Sequence, residues 1–271
     1  MPKALTLMTL AVLLAVALVP SFAAGPVYDE LPDLEGREII IGMENFYPPY
    51  QFNDPRADEP IGFEYDMINQ ICERLNCTPV YEETTFELQL AGVADGTYEM
   101  VANGLFITEE RQENFDFSMS YTQAETFLMV REDEDRFGSV QEFVEMASDE
   151  DLIWGVQNNS FGQVLATDIY SVPEDNIVTF DEFGALLVAL RNGDIDTMAV
   201  DAFNGTFVGP SADFFRLIGD PLVDPVPMGL MFQQDSDLVA PFDAALQSMM
   251  DDGYMDFLFY KWSEDYQVFE E

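Results

Sequence analysis

The chain predicts an α/β fold of two lobes with a cleft between them. Strand-like and helix-like segments alternate along most of its length, the pattern of helices packed on largely parallel sheets. The alternation runs through twice, each time as a strand, a Gly-containing turn, helices and a strand ending in a polar group, with no short-period repeat. The two polar strand ends, Asn103-Gly104 and Asp201, fall where such sheets bind ligands, beyond the carboxyl ends of their strands.

In order, Glu38-Ile39-Ile40-Ile41-Gly42 reads as the first strand, and Phe63, Met67, Ile68, Ile71 and Leu75 recur at helical spacing. Residues 78–82 form a second strand, and Leu88, Leu90, Ala91 and Val93 place a second helix. Residues 98–102 are a third strand that runs into Asn103-Gly104; residues 126–130 are apolar and extended, and residues 131–135 are a charge cluster. The second round opens with a strand at 153–156, a turn at 158–162 that starts a helix, and a strand at 176–180. Phe183, Leu186, Leu187 and Leu190 mark a helix closed by the Asn192-Gly193 stop signal. Residues 197–200 are a strand ending on Asp201; residues 225–232 read as one strand, followed by helices over 236–252 and 254–262.

The first residues, 1–23, read as an export signal. Lys3 supplies the positive start, the run from Leu5 to Val19 is apolar apart from Thr6 and Thr9, Pro20 breaks it, and Ser21-Phe22-Ala23 offers small residues for cleavage near Ala23. The run is shorter than the roughly 20 apolar residues that span a bilayer comfortably; an uncleaved anchor is the alternative. The expected location is secreted, periplasmic or extracellular. Against 52 acidic residues stand 10 basic ones and no histidine, a formal net charge of −42. That excludes nucleic acid as a partner, since phosphate binding needs a basic face. The acids, spread along the chain without calcium-loop spacing, read as a solvated surface whose like charge favours a monomer. Cys72 and Cys77 are the only cysteines. Cys72 falls in the last turns of a helix and Cys77 just beyond it, so bridged and free states both remain open. No metal or other cofactor is expected, and the absence of histidine excludes Ser-His-Asp chemistry.

The most informative stretch is Asn103-Gly104-Leu105-Phe106-Ile107-Thr108-Glu109-Glu110-Arg111, with Phe117-Ser118 and Tyr121 after it. Glycine lets a ligand approach the backbone closely. Threonine caps a helix whose first amides attract an anion. Arginine adds a planar fork that fits a carboxylate. This stretch resembles the carboxylate-binding segment of the extracellular solute-binding proteins, family 3, which serve polar amino-acid ABC importers. Tyr47-Pro48-Pro49-Tyr50, Gly62-Phe63-Glu64-Tyr65-Asp66, Gly155-Val156-Gln157, Asp194-Ile195-Asp196 through Asp201, and Asp252-Gly253-Tyr254 through Trp262 follow that family's order and intervals.

The resemblance implies a two-lobed, type II periplasmic-binding-protein fold in which the chain crosses between lobes twice. Lobe 1 is then residues 38–124 plus 224–271, and lobe 2 residues 125–223. It implies that Arg111 holds a ligand's α-carboxylate, and that Asp201 and the Gly104 carbonyl hold its ammonium. It sets Tyr47 and Phe86 on either side of the ligand's side chain, and places Glu44 where an acid reads a distal cation. Each has a plainer alternative: Arg111 paired with Glu109 or Asp116, Asp201 capping the helix that follows it, the aromatics as core, and Glu44 as one more surface acid.

Two departures concern the ligand. Phe106 stands where relatives carry a serine or threonine hydroxyl, and Asn159-Ser160-Phe161-Gly162 replaces a Gly-Thr-Thr run. The Ser160 and Phe161 amides are expected to hold the carboxylate still, with Asn158 among the polar contacts. No second cation lies near the expected cleft, which favours a basic or polar neutral amino acid as partner, delivered to an ABC permease. A periplasmic cyclohexadienyl-type dehydratase, and a sensing module without transport, are the alternatives.

Overall fold

The computed structural model describes residues 31–208 and 214–266; the export-signal segment lies outside them. The first elements are β1 (Arg37–Met43), β2 (Phe46–Tyr47), β3 (Gln51–Phe52), α1 (Phe63–Leu75), β4 (Cys77–Glu83), α2 (Phe86–Asp95), β5 (Met100–Val101), α3 (Glu109–Gln112) and β6 (Phe115–Phe117). Then come β7 (Thr122–Ala124), β8 (Thr126–Arg131), α4 (Val140–Met146), β9 (Trp154–Gln157), α5 (Phe161–Val164), β10 (Ile177–Phe180), α6 (Phe183–Asn192), β11 (Thr197–Asp201), α7 (Ala202–Val208) and β12 (Phe215–Ile218). The last are β13 (Val226–Met228), β14 (Met231–Gln233), α8 (Val239–Asp251) and α9 (Tyr254–Tyr260).

Two five-stranded sheets form, in the orders β4-β1-β5-β14-β6 and β10-β9-β11-β8-β12. In each, three neighbouring strands pair in parallel, and the fourth, β14 or β8, runs opposite to all the others and makes antiparallel pairs on both sides. Each sheet carries a buried apolar cluster on both faces, which explains the near-continuous apolar runs of its inner strands. Ile39 and Ile41 of β1 enter the core with α1 and α8, whereas Ile40 faces the cluster under α2. Leu128 and Val130 of β8 likewise pack with Phe143 and Trp154, and Met129 faces α6. The two-residue period of a strand sorts these side chains. A separate ribbon pairs β7 with β13, Ala124 opposite Val226.

The strand expected at 98–102 shrinks to two residues. The Tyr98 amide donates to the Gly92 carbonyl, and the Ala102 carbonyl accepts from the Gln51 and Gln89 side chains instead of a ladder partner. The strand expected at 225–232 is two strands, because Gly229 and Leu230 turn aside: their amides donate to the Leu105 carbonyl and to Ser118 Oγ. Helix α4 was not anticipated, although Ser139 caps it by accepting from the Glu142 amide at 3.2 Å, and Ser-x-x-Glu is a legible start signal. Gly193 ends α6 in the left-handed region, φ 81°, as the stop signal predicts.

Cys72 and Cys77 form a disulfide that ties the end of α1 to the start of β4, around Asn76 in the left-handed cap. The bridged residues lie 5 apart in sequence, and a loop that short removes about 2 kcal/mol of unfolded-state entropy. A Cys72→Ser, Cys77→Ser double variant is expected to lose about that much stability, measurable as a lower urea midpoint with unchanged slope.

Candidate functional site

A cleft lies between the sheets. Tyr47, Phe86, Gly104, Phe106, Arg111, Ser160, Phe161 and Asp201 all line it; Glu44 and Asn158 do not. Strand ends and short turns position these groups, as expected of an α/β sheet's ligand edge.

Arg111 sits in α3, which Thr108 caps by accepting the Arg111 amide at 3.2 Å. Its guanidinium makes no ion pair with any described residue. It donates instead to two carbonyls, Phe106 at 3.0 Å and, across the cleft, Asn159 at 3.2 Å. The Phe86 ring centre is 6.0 Å from its Cζ. Burial pushes the guanidinium down to about 10, with Glu110 opposing the shift weakly. The pairing with Glu109 or Asp116 that a surface arginine adopts is absent among the described residues.

Asp201 ends β11 and is 1% exposed. It accepts from Tyr47 Oη at 2.5 Å, Tyr50 Oη at 3.0 Å, and the Phe203 and Asn204 amides at 3.0 and 3.1 Å. It therefore does cap α7. No cationic side chain among the described residues pairs with it, and burial pushes its carboxyl up. Three of its four donors meet Oδ1 and only Tyr47 meets Oδ2, so Oδ2 retains accepting capacity toward the cleft.

Gly104 has φ +54°, and a Cβ there would lie 2.8 Å from the Tyr47 ring. Glycine is thus required twice over, by backbone conformation and by space. Tyr47 stacks on Tyr50, centroids 5.3 Å apart, and meets Phe183, the first residue of α6, edge-on at 4.6 Å. Phe106 and Phe161, the two departures noted in the sequence, stack on each other at 4.5 Å. One comes from each side of the cleft, and aromatic area takes the place of hydroxyls there.

Glu44 lies behind the cleft wall, 1% exposed. Asn103 Nδ2 donates to it at 2.6 Å, Gln157 Nε2 at 2.7 Å, and the Phe183 amide at 3.5 Å. Burial pushes its carboxyl up despite these donors. It is neither a surface acid nor in the lining; it reaches the cleft through Asn103, Gln157 and the Phe183 amide. The Ser160 amide, expected to hold a carboxylate, is engaged by the Gln157 carbonyl at 3.2 Å in the turn, while Ser160 Oγ caps α5 by accepting from Gln163. Asn158 follows β9, its amide donating to the Phe180 carbonyl, and it is outside the cleft lining.

Two polar groups in the lining lack partners, and one of them, on Thr126, falls outside the motifs of the sequence. Asn103 Oδ1 and Thr126 Oγ1 are buried without a hydrogen-bond partner among the described residues, and both residues line the cleft with Gln157. Thr126 stands opposite Asp201 in the β8–β11 register. A polar residue at a strand end is the only signal that marks it.

The profile of the bacterial extracellular solute-binding proteins, family 3, matches residues 39–265. An ABC transporter glutamine-binding protein of Bacillus subtilis is 24% identical, covering 84% of this chain and 82% of its own. An arginine-binding periplasmic protein of Mannheimia haemolytica is 24% identical, covering 84% and 92%. The solved structure of an arginine-, lysine-, histidine-binding protein of Geobacillus stearothermophilus superposes with a TM-score of 0.75 at 21% identity, over 83% of this chain and 95% of the other. The fold is the two-lobed, type II arrangement of such proteins. Among the described residues no helix is long and apolar enough to cross a membrane.

Proposed function

The chain belongs to the bacterial extracellular solute-binding proteins, family 3, and from that premise we propose that it captures one L-α-amino acid outside the cytoplasm by lobe closure and delivers it to the permease of an ABC importer. One observation carries this reading. A half-buried guanidinium, Arg111, and a buried carboxylate, Asp201, line the same cleft, and neither has an ionic partner among the described residues. Unpaired desolvated charges are costly. A zwitterion supplies the missing partner of each, its carboxylate for Arg111 and its ammonium for Asp201 and the Gly104 carbonyl.

Closure would join lobe 1, residues 38–124 plus 224–271, to lobe 2, residues 125–223, with the β7–β13 ribbon as the hinge between them. Tyr47 and Phe86 wall the ligand's side chain. Asn103, Thr126 and Gln157, backed by Glu44, favour a polar neutral or basic side chain. The names of the compared glutamine- and arginine-binding proteins agree with that preference. The protein acts as a monomeric carrier and not as an enzyme, Asp201 being committed to holding charge.

A thermal-shift screen of the mature protein against the common L-amino acids, with polyamines alongside, tests the reading. A true ligand at a hundredfold excess over Kd adds about 2.7 kcal/mol and raises Tm by roughly 5–10 °C. No shift from any amino acid removes the reading, and a shift from polyamines alone redirects it.

A further inference from the structure

Directly behind Gly104 stands a third buried acid, Glu64, in the first turn of α1. It is 0% exposed. Its Oε1 accepts from the Gly104 amide at 3.0 Å and from Tyr121 Oη at 2.9 Å. Its Oε2 is buried with no hydrogen-bond partner among the described residues. One carboxylate oxygen therefore fixes the peptide that lines the cleft, and also ties it to Tyr121, the residue preceding β7. The other oxygen is unused.

The titratable groups that bear on Glu64 from the cleft side are Asp201 of β11, Tyr47 of β2 and Tyr121. Tyr50, whose carbonyl accepts the Glu64 amide, hydrogen-bonds Asp201 through its hydroxyl. From its own helix comes Tyr65. The charged and titratable groups of the other elements packed on α1 are engaged elsewhere along it. Lys261, after α9, pairs with Asp66; Asp252, after α8, pairs with Arg74; Tyr81 of β4 packs against Tyr65 and donates to Asn69. Among the described residues no cation pairs with Glu64, and the charge that acts on it is another acid, Asp201.

We propose that Glu64 is a positioning residue that carries a proton on its unpartnered oxygen in the unliganded protein and releases it to solvent as an amino acid's ammonium enters beside Asp201 and Gly104. Protonation relieves two buried carboxylates of facing each other without a counterion, and an arriving cation removes the need for it. Burial, the largest cause, pushes the Glu64 carboxyl up to about 7, which puts the exchange near neutral pH. Binding then tightens as pH rises. With one linked proton, affinity changes up to about tenfold per pH unit below the transition and levels off above it. The inference rests on the amino-acid-binding reading, so its test has one arm with ligand and one without.

In the first arm, L-glutamine and L-arginine are titrated calorimetrically at pH 7 in phosphate and in Tris. The apparent heats differ between the buffers by the proton released. Binding by Glu64→Gln, which keeps an acceptor for Gly104 and Tyr121, gives the same heat in both buffers and a flat affinity between pH 6 and 8. Glu64→Ala, lacking those bonds, binds more weakly at every pH. In the second arm, unliganded wild type and Glu64→Gln are melted across pH 5–9. A group whose native pKa is raised adds stability at low pH that is lost as pH rises through that pKa. The wild-type Tm should therefore fall relative to the variant as pH rises from 5 to about 7 and run parallel to it above that. Equal buffer dependence in wild type and variant, or melting curves parallel across the whole pH range, overturns the proposal. If neither amino acid binds, the function reading is at fault, and the ligand-free curves alone decide whether Glu64 holds the proton.

Discussion

Replacing Arg111 by alanine is expected to weaken amino-acid binding by about 2–5 kcal/mol, roughly 30-fold to several-thousand-fold in Kd. Among the described residues the guanidinium spends two of its N–H groups on protein, on the Phe106 and Asn159 carbonyls, and an arginine fork has five. Three remain for a ligand carboxylate in a partly dry, aromatic setting beside Phe86. Truncation leaves that carboxylate buried without its partner, where most of the cost arises. Arg111→Lys should recover only part of the affinity, because an ammonium restores the charge without the planar fork. Stability of the unliganded variants is the control. Arg111 holds no ion pair among the described residues, so its loss should barely lower Tm without ligand. The contrary pattern, a large Tm loss with binding retained, would make Arg111 a strut joining the lobes through Asn159.

The lobes and most elements were legible because their patterns are local. The β1 run, the α1 stripe from Phe63 to Leu75 and the Asn192-Gly193 stop each follow from periodicity or capping. What failed depends on distant partners. Nothing near residue 229 shows that Ser118 and Leu105 will capture the backbone there and split a strand in two. The site divides the same way. Arg111, Asp201 and Gly104 stand at strand ends or helix starts, where sequence marks them. Glu44 was legible as an acid in the right segment. Its burial behind Asn103 and Gln157 is set by side chains from both lobes. The meeting of Phe106 with Phe161 is of this kind too: each reads as an isolated departure, and only the fold makes them a pair. Glu64 was visible merely as part of a Gly-Phe-Glu-Tyr-Asp landmark. Its role follows from Gly104, forty residues on, lying against it.

Asp201→Asn should cost ligand binding as much as Arg111→Ala does, about 2–5 kcal/mol, yet leave the unliganded protein no less stable at neutral pH. Asparagine caps helices as well as aspartate does, and its carbonyl still accepts from a tyrosine or from the Asn204 amide. What it removes is a buried charge that no cation among the described residues offsets. Burial raises the Asp201 carboxyl, so its stabilising contribution is present at low pH and fades as pH rises through the folded value. The variant should accordingly gain on wild type with rising pH, as followed by unliganded Tm. Asp201→Ala separates the two roles. It forfeits the cap, about 0.5–2 kcal/mol, and leaves the Tyr47 and Tyr50 hydroxyls without their acceptor, so stability falls together with binding. If Asn and Ala lose stability alike while Asn still binds an amino acid at wild-type affinity, Asp201 is a cap and nothing more, and the ammonium must be held elsewhere. If Asn keeps the fold and loses the ligand, the buried charge exists for the ligand, since the fold does not require it.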